Sequence, residues 1–191
     1  MRFRFCILSS TVAFILALTG SANGQAPTSP AVARLHYVTI PLEIEVNRPA
    51  SEVWARVGKY CDIGEWFPVP CRIVSGEDGR IGAVRSVLNE VLVGRTELSY
   101  TYADPTQEGR PYNFFHGTLE AKPVSETTSK LVYTLLYDDS MLPDDKARDA
   151  HRVGLARVFT LALRNMKILA EGGTLPALPP SRGGPPEVDV K

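Results

Sequence analysis

The sequence is poor in the residues that hold metals, with three cysteines and three histidines among 191 residues. His36, His116 and His151 lie far apart, and Cys61 and Cys71 lack the second pair that a structural zinc site needs, so no metal is expected. The acids Asp138, Asp139, Asp144 and Asp145 lack the ligand spacing and central glycine of a calcium loop, and acids before a helix are ordinary. Gly-x-Ser-x-Gly, P-loop and Rossmann glycine patterns are all missing, so no cofactor is expected either. There is no excess of either charge: 21 Lys and Arg stand against 21 Asp and Glu, which removes the electrostatic footprint of a nucleic-acid binder. No apolar run approaches the ~20 residues of a membrane-spanning helix. What is present is a 44% apolar content, that of an ordinary globular domain and too high for a disordered chain.

The longest uncharged stretch, Cys6 to Gly20, follows the basic start Met1-Arg2-Phe3-Arg4 and precedes the small residues Ser21-Ala22-Asn23-Gly24. That order predicts a signal peptide over residues 1–24, cut near Gly24, and an exported protein, periplasmic or secreted, that keeps no stable membrane anchor. Residues 25–34 read as a linker. Cleavage leaves Cys61 and Cys71, an even pair that export to an oxidising compartment turns into an expected disulfide. From Gly172 to Lys191 the chain holds five prolines and four glycines, so residues 173–191 read as a disordered tail. The folded domain is expected over residues 35–172.

Within it, Val38, Ile40, Leu42, Ile44 and Val46 alternate with polar residues over a strand 36–46, and Pro41 suggests a sheet edge. Pro49 fits the first turn of a helix over 49–58 with Val53, Trp54 and Val57 inward, and residues 60–67 form a second short helix or turn. Strands follow at Cys71–Ser75, at Ala83–Leu88, from Leu98 to an end at Asp104-Pro105, at 112–122 and at 129–138, with a turn at Gly76-Glu77-Asp78-Gly79. Ala147, His151, Gly154, Leu155, Val158, Ala162, Met166 and Leu169 recur at helical spacing over 143–171. The order is α+β: a strand, two short helices, an antiparallel meander and one long helix.

This order, together with Pro49-Ala50-Ser51-Glu52-Val53-Trp54, Tyr60-Cys61-Asp62-Ile63-Gly64-Glu65-Trp66-Phe67-Pro68 with Cys71 beyond it, and Gly82-Ala83-Val84-Arg85, resembles the START-like (SRPBCC) superfamily. The nearest branch is the secreted polyketide cyclase/dehydrase-like proteins. The resemblance implies a helix-grip fold, in which a curved antiparallel sheet of six to seven strands wraps around the C-terminal helix and leaves an apolar pocket between them. A shared fold does not transmit chemistry, so function must come from the residues.

The residues offered for that pocket are aromatic or polar. Trp66, Tyr100, Tyr102 and Tyr133 carry apolar bodies with a polar tip, Phe159 adds an aromatic wall, and Arg85 can pair with an anionic or carbonyl group of a ligand or with a neighbouring acid such as Glu90 or Glu97. His116 carries an imidazole, a side chain suited to proton transfer, and can serve as ligand contact or as acid and base; His151 reads as a packed core histidine. The reading that follows is a carrier of a small apolar molecule, lipid-, steroid- or polyketide-like, without covalent chemistry. The alternative is a cyclase or dehydratase in which His116 and a nearby Tyr or Glu transfer protons. The expected partner is thus a small molecule and no nucleic acid; oligomeric state is left open.

Overall fold

Alternation decides the first strand. Val38, Ile40, Leu42, Ile44 and Val46 turn inward and their neighbours outward over β1 (Tyr37–Val46) of the computed structural model, which describes residues 34–176. The expected signal segment, nearly all of the linker and residues 177–191 lie outside the described residues. Among the described residues β1 pairs with β7 alone, and Pro41, which lacks an N–H, sits in this edge strand as its sequence implied. Pro49 caps α1 (Ala50–Val57) with φ −57°, already close to helical, and Val53 and Val57 are buried. α2 (Ile63–Trp66) is a single turn, held by a disulfide between Cys61 and Cys71 that brackets it.

The remaining strands are β2 (Ile73–Ser75), β3 (Val84–Arg85), β4 (Val91–Arg95), β5 (Ser99–Ala103), β6 (Asn113–Pro123) and β7 (Ser129–Asp138). They form one curved antiparallel sheet of seven strands in the order β1-β7-β6-β5-β4-β3-β2. α3 (Asp145–Ala170) packs against β1, β7, α1 and α2, which is the helix-grip arrangement. Asp144 begins α3 by accepting a hydrogen bond from the Ala147 N–H at 2.7 Å. Asp138 accepts from the backbone N–H groups of His36 and Ser140, which gives two of the four clustered acids structural work.

Three expectations need correction. The strand expected over Ala83–Leu88 stops at Arg85, because Leu88 and Asn89 take φ of 52° and 57° and reverse the chain. The Arg85 N–H donates to the Glu90 carbonyl across that reversal, and β4, which the periodicity did not reveal, begins at once. In β6 a bulge lies between Asn113 and His116, with Phe114 at φ 50°. Beyond it Phe115, Gly117, Leu119 and Ala121 face inward, so His116 faces outward. On α3 the inward stripe runs through Leu155, Phe159, Ala162, Leu163 and Met166; Gly154 and Val158 lie about 100° behind its centre line and face outward. Leu175 is half-buried and lines an outer groove with Trp66, Leu161 and Asn165.

Candidate functional site

A cavity of about 270 Å³ lies between the concave face of the sheet and α3. Ile63, Phe67 and Val69 close it from α2 and the turn after it, Leu155 and Phe159 from α3, and Phe115 from β6. The β3–β4 turn contributes Val87 and Leu88. Four polar residues interrupt this apolar lining: Glu90, Tyr102, Asp104 and Tyr112.

Strand register brings these four together. Val91 pairs with Ala103, so Glu90 and Asp104, one residue further along each strand, meet across the β4–β5 ladder. The Tyr112 hydroxyl donates to Asp104 Oδ2 at 2.8 Å. Asp104 Oδ1 is buried without a hydrogen-bond partner, which leaves an open acceptor on the cavity wall. Burial pushes the Tyr112 phenol well up, and its bond to Asp104 adds to that, so it stays a donor.

Behind Glu90 stands a buried guanidinium. Arg85 Nε donates to Glu90 Oε2 at 2.5 Å and Nη1 to the Tyr60 carbonyl at 2.7 Å, while Nη2 has no hydrogen-bond partner among the described residues. The guanidinium carbon sits 4.5 Å from the Tyr60 ring centroid and 4.7 Å from that of Tyr102, a cation between two aromatic faces. Tyr60 returns its hydroxyl to the Glu90 carbonyl at 3.0 Å. Burial pushes Glu90 up to about 7, against the pull of Arg85, and Asp104 adds to the rise. A carboxyl so placed can gain or lose a proton near neutral pH.

Tyr102 needs a missing side chain opposite it. It pairs with Gly117 across the β5–β6 ladder, and a Cβ at Gly117 would fall 2.3 Å from the Tyr102 ring. The ring therefore lies flat on the sheet, and its hydroxyl stands 3.0 Å from that of Tyr133. Burial first of all raises both phenols well above their usual value.

The sequence matches the family described as polyketide cyclase / dehydrase and lipid transport over residues 37–171. The chain belongs to that family. Comparison with curated proteins finds no match. A Thermobifida fusca protein solved by NMR is 24% identical, with a TM-score of 0.59 over 72% of this chain and 97% of that one. Truncated norcoclaurine synthase from Thalictrum flavum is 11% identical, with a TM-score of 0.55 over 73% and 97%. The di-domain ARO/CYC BexL from the BE-7585A biosynthetic pathway is 19% identical, with a TM-score of 0.53 over 70% of this chain and 46% of that one. At these identities the likeness is one of fold.

Of the residues offered from sequence, this member of the polyketide cyclase / dehydrase and lipid transport family places Tyr102 and Phe159 on the cavity wall. Arg85 and Tyr133 lie one layer behind it: Arg85 pairs with Glu90, and the Tyr133 ring packs edge-on against Phe159 at 4.8 Å. Trp66 is buried, but its carbonyl accepts from Asn165 and it borders the outer groove, away from the cavity. Tyr100 lines a different cleft, toward α1. His116 is corrected outright: the bulge at Phe114 turns it to the opposite face, where Nδ1 meets the Phe114 carbonyl at 2.8 Å. It touches no cavity atom and has no place in an acid–base pair there. His151 stacks on Tyr112 at 5.9 Å, a packed histidine whose burial lowers its pKa. Sequence reasoning passed over Glu90, Asp104 and Tyr112 as site residues. Asp104-Pro105 looked like a strand end, and Glu90 looked like a surface partner of Arg85 because β4 was not recognised.

Proposed function

We propose that this protein binds one small, largely apolar molecule in the cavity beneath α3 and holds it by a single polar group. The observation that carries this reading is the wall itself: largely apolar, with one polar stretch of Glu90, Tyr102, Asp104 and Tyr112 in which Asp104 Oδ1 has no partner among the described residues. A hydroxyl or amine donor on the ligand meets that acceptor, and leaving it unmet costs ~1–3 kcal/mol. The volume, about 270 Å³, stands near the ~300 Å³ lower end of ligand pockets and suits a compact ring system better than a long acyl chain.

A second reading, proton transfer to or from the bound molecule, has one observation in its favour: Glu90, pushed up to about 7, lies on the wall. Glu90 takes the place that the sequence offered to His116. Binding stands as the main reading because Glu90 is already engaged by Arg85.

Export remains part of the proposal. The Cys61–Cys71 disulfide supports an oxidising compartment, in keeping with the charge and apolar order of residues 1–24.

Native mass spectrometry of the protein purified from its host, beside Leu155→Trp, tests the binding reading. The expected result is a co-purified small molecule in the natural protein and none in the variant, whose indole fills the cavity. A molecule retained equally by Leu155→Trp would place it elsewhere and sink the reading.

A further inference from the structure

The Arg85 layer divides the concave face of the sheet in two. Tyr60 and Tyr100 line a cleft on one side of it and Glu90 and Tyr102 line the apolar cavity on the other, and the two spaces share no lining residue. The second cleft, about 290 Å³, runs between the C-terminal end of α1 and the β4–β5 hairpin. Its chemistry differs from that of the cavity beneath α3.

Two aromatic rings form its apolar part. Trp54 and Tyr100 have centroids 5.6 Å apart at 52°, and both rings border the cleft. Trp54 is seated by Gly58, where a Cβ would lie 2.3 Å from the indole, so the ring is held against the end of α1. Lys59 and Arg95 supply two cations to the lining, and neither forms a salt bridge among the described residues. Arg95 Nη1 donates to the Gly79 carbonyl, which tethers the guanidinium to the β2–β3 turn. Asp78 is the one carboxylate in the lining, so cations outnumber it. The Tyr100 hydroxyl is withdrawn from the cleft and faces the Arg85 guanidinium, so Tyr100 borders the cleft through its ring.

We infer that this cleft is a second ligand site, built for a small aromatic acid. The ring of the ligand lies against Trp54 beside Tyr100, and its carboxylate stands between Lys59 and Arg95. Aromatic faces alone would take any flat apolar molecule; the unpaired cations select the anion. The site does not depend on what occupies the cavity beneath α3.

The probes are 2-naphthoate and its neutral counterpart 2-naphthalenemethanol, followed by amide shifts in nitrogen-15 spectra of the full protein. Naphthoate is expected to move Gly58, Gly79 and Ser99. In Lys59→Gln/Arg95→Gln its affinity is expected to fall about tenfold or more while that of the neutral probe stays within about twofold. Lys59→Arg/Arg95→Lys, which keeps both charges, is expected to hold naphthoate within about threefold of the natural protein. Spectra of the variants away from the cleft check that they fold. Shifts confined to Leu155 and Phe159, equal loss of both probes in the Gln variant, or no naphthoate binding at about 1 mM would each overturn the site.

Discussion

Arg85 Nε donates to Glu90 Oε2 at 2.5 Å, and the two side chains are almost wholly withdrawn from water. Such a pair gains little over two well-packed apolar residues, yet half of it left alone costs ~3–5 kcal/mol. Arg85→Met is therefore expected to destabilise the protein by about 3 kcal/mol or more, and Arg85→Met/Glu90→Leu to recover most of that loss. Urea unfolding measures both. A double variant as unstable as the single one would assign the cost to the Tyr60 carbonyl and the ring contacts instead.

Glu90 also gives the protein a pH dependence of defined sign. Its pKa rises from 4.5 unfolded to about 7 folded, so between those values the unfolded chain has released a proton that the folded chain still holds. Stability must then fall as pH climbs through that window and level off above it. The difference in unfolding free energy between the natural protein and Glu90→Gln is expected to shift by about 2–3 kcal/mol between pH 4.5 and pH 7.5. His151, whose burial lowers its pKa, acts in the opposite direction but is present in both proteins and cancels. A difference that does not vary with pH would mean that Arg85 keeps Glu90 ionised.

Thiol counting checks export and pairing together. Cys61 and Cys71 are joined, and Cys6 is the third cysteine of the chain. Labelling of denatured, unreduced protein recovered from outside the cytoplasm should find no thiol. One thiol per chain would mean that Cys6 and its segment are retained. Reduction of the bond is expected to lower stability by about 3 kcal/mol, the loop-closure value for a loop of this size.

His116→Gln should leave ligand affinity within about 0.5 kcal/mol, since the imidazole stands on the far face of β6. Phe159→Ala removes a cavity wall and should weaken the same ligand by about 1–3 kcal/mol. Calorimetric titration with the co-purified molecule reads both. A large effect of His116→Gln with none from Phe159→Ala would put the ligand outside the cavity.

The fold was legible because two long elements, β1 and α3, each keep one period along their length. β1 and α3 declare their faces over 10 and 26 residues, and the caps at Pro49 and Asp144 act where the sequence marks them. The site was less legible because it depends on single-residue departures from period. A left-handed pair at Leu88-Asn89 creates β4 and turns Glu90 inward, and one extra residue at Phe114 exchanges the faces of β6, sending Phe115 in and His116 out. Neither position carries a glycine, the usual mark of such conformations, and each decides the orientation of every residue after it.

The close seat of the Tyr102 ring on Gly117 sets a limit on how this protein can diversify. The Tyr102 ring occupies the volume that any side chain at 117 would need, and through that ring the sheet supports Arg85 and, behind it, Glu90. Substitution there propagates into the charge pair at the centre of the domain, whereas Leu88, Leu155 and Phe159 border the cavity from turns and helix and can change one at a time. A lineage seeking new ligands can redraw the roof at little risk. The floor is inherited whole.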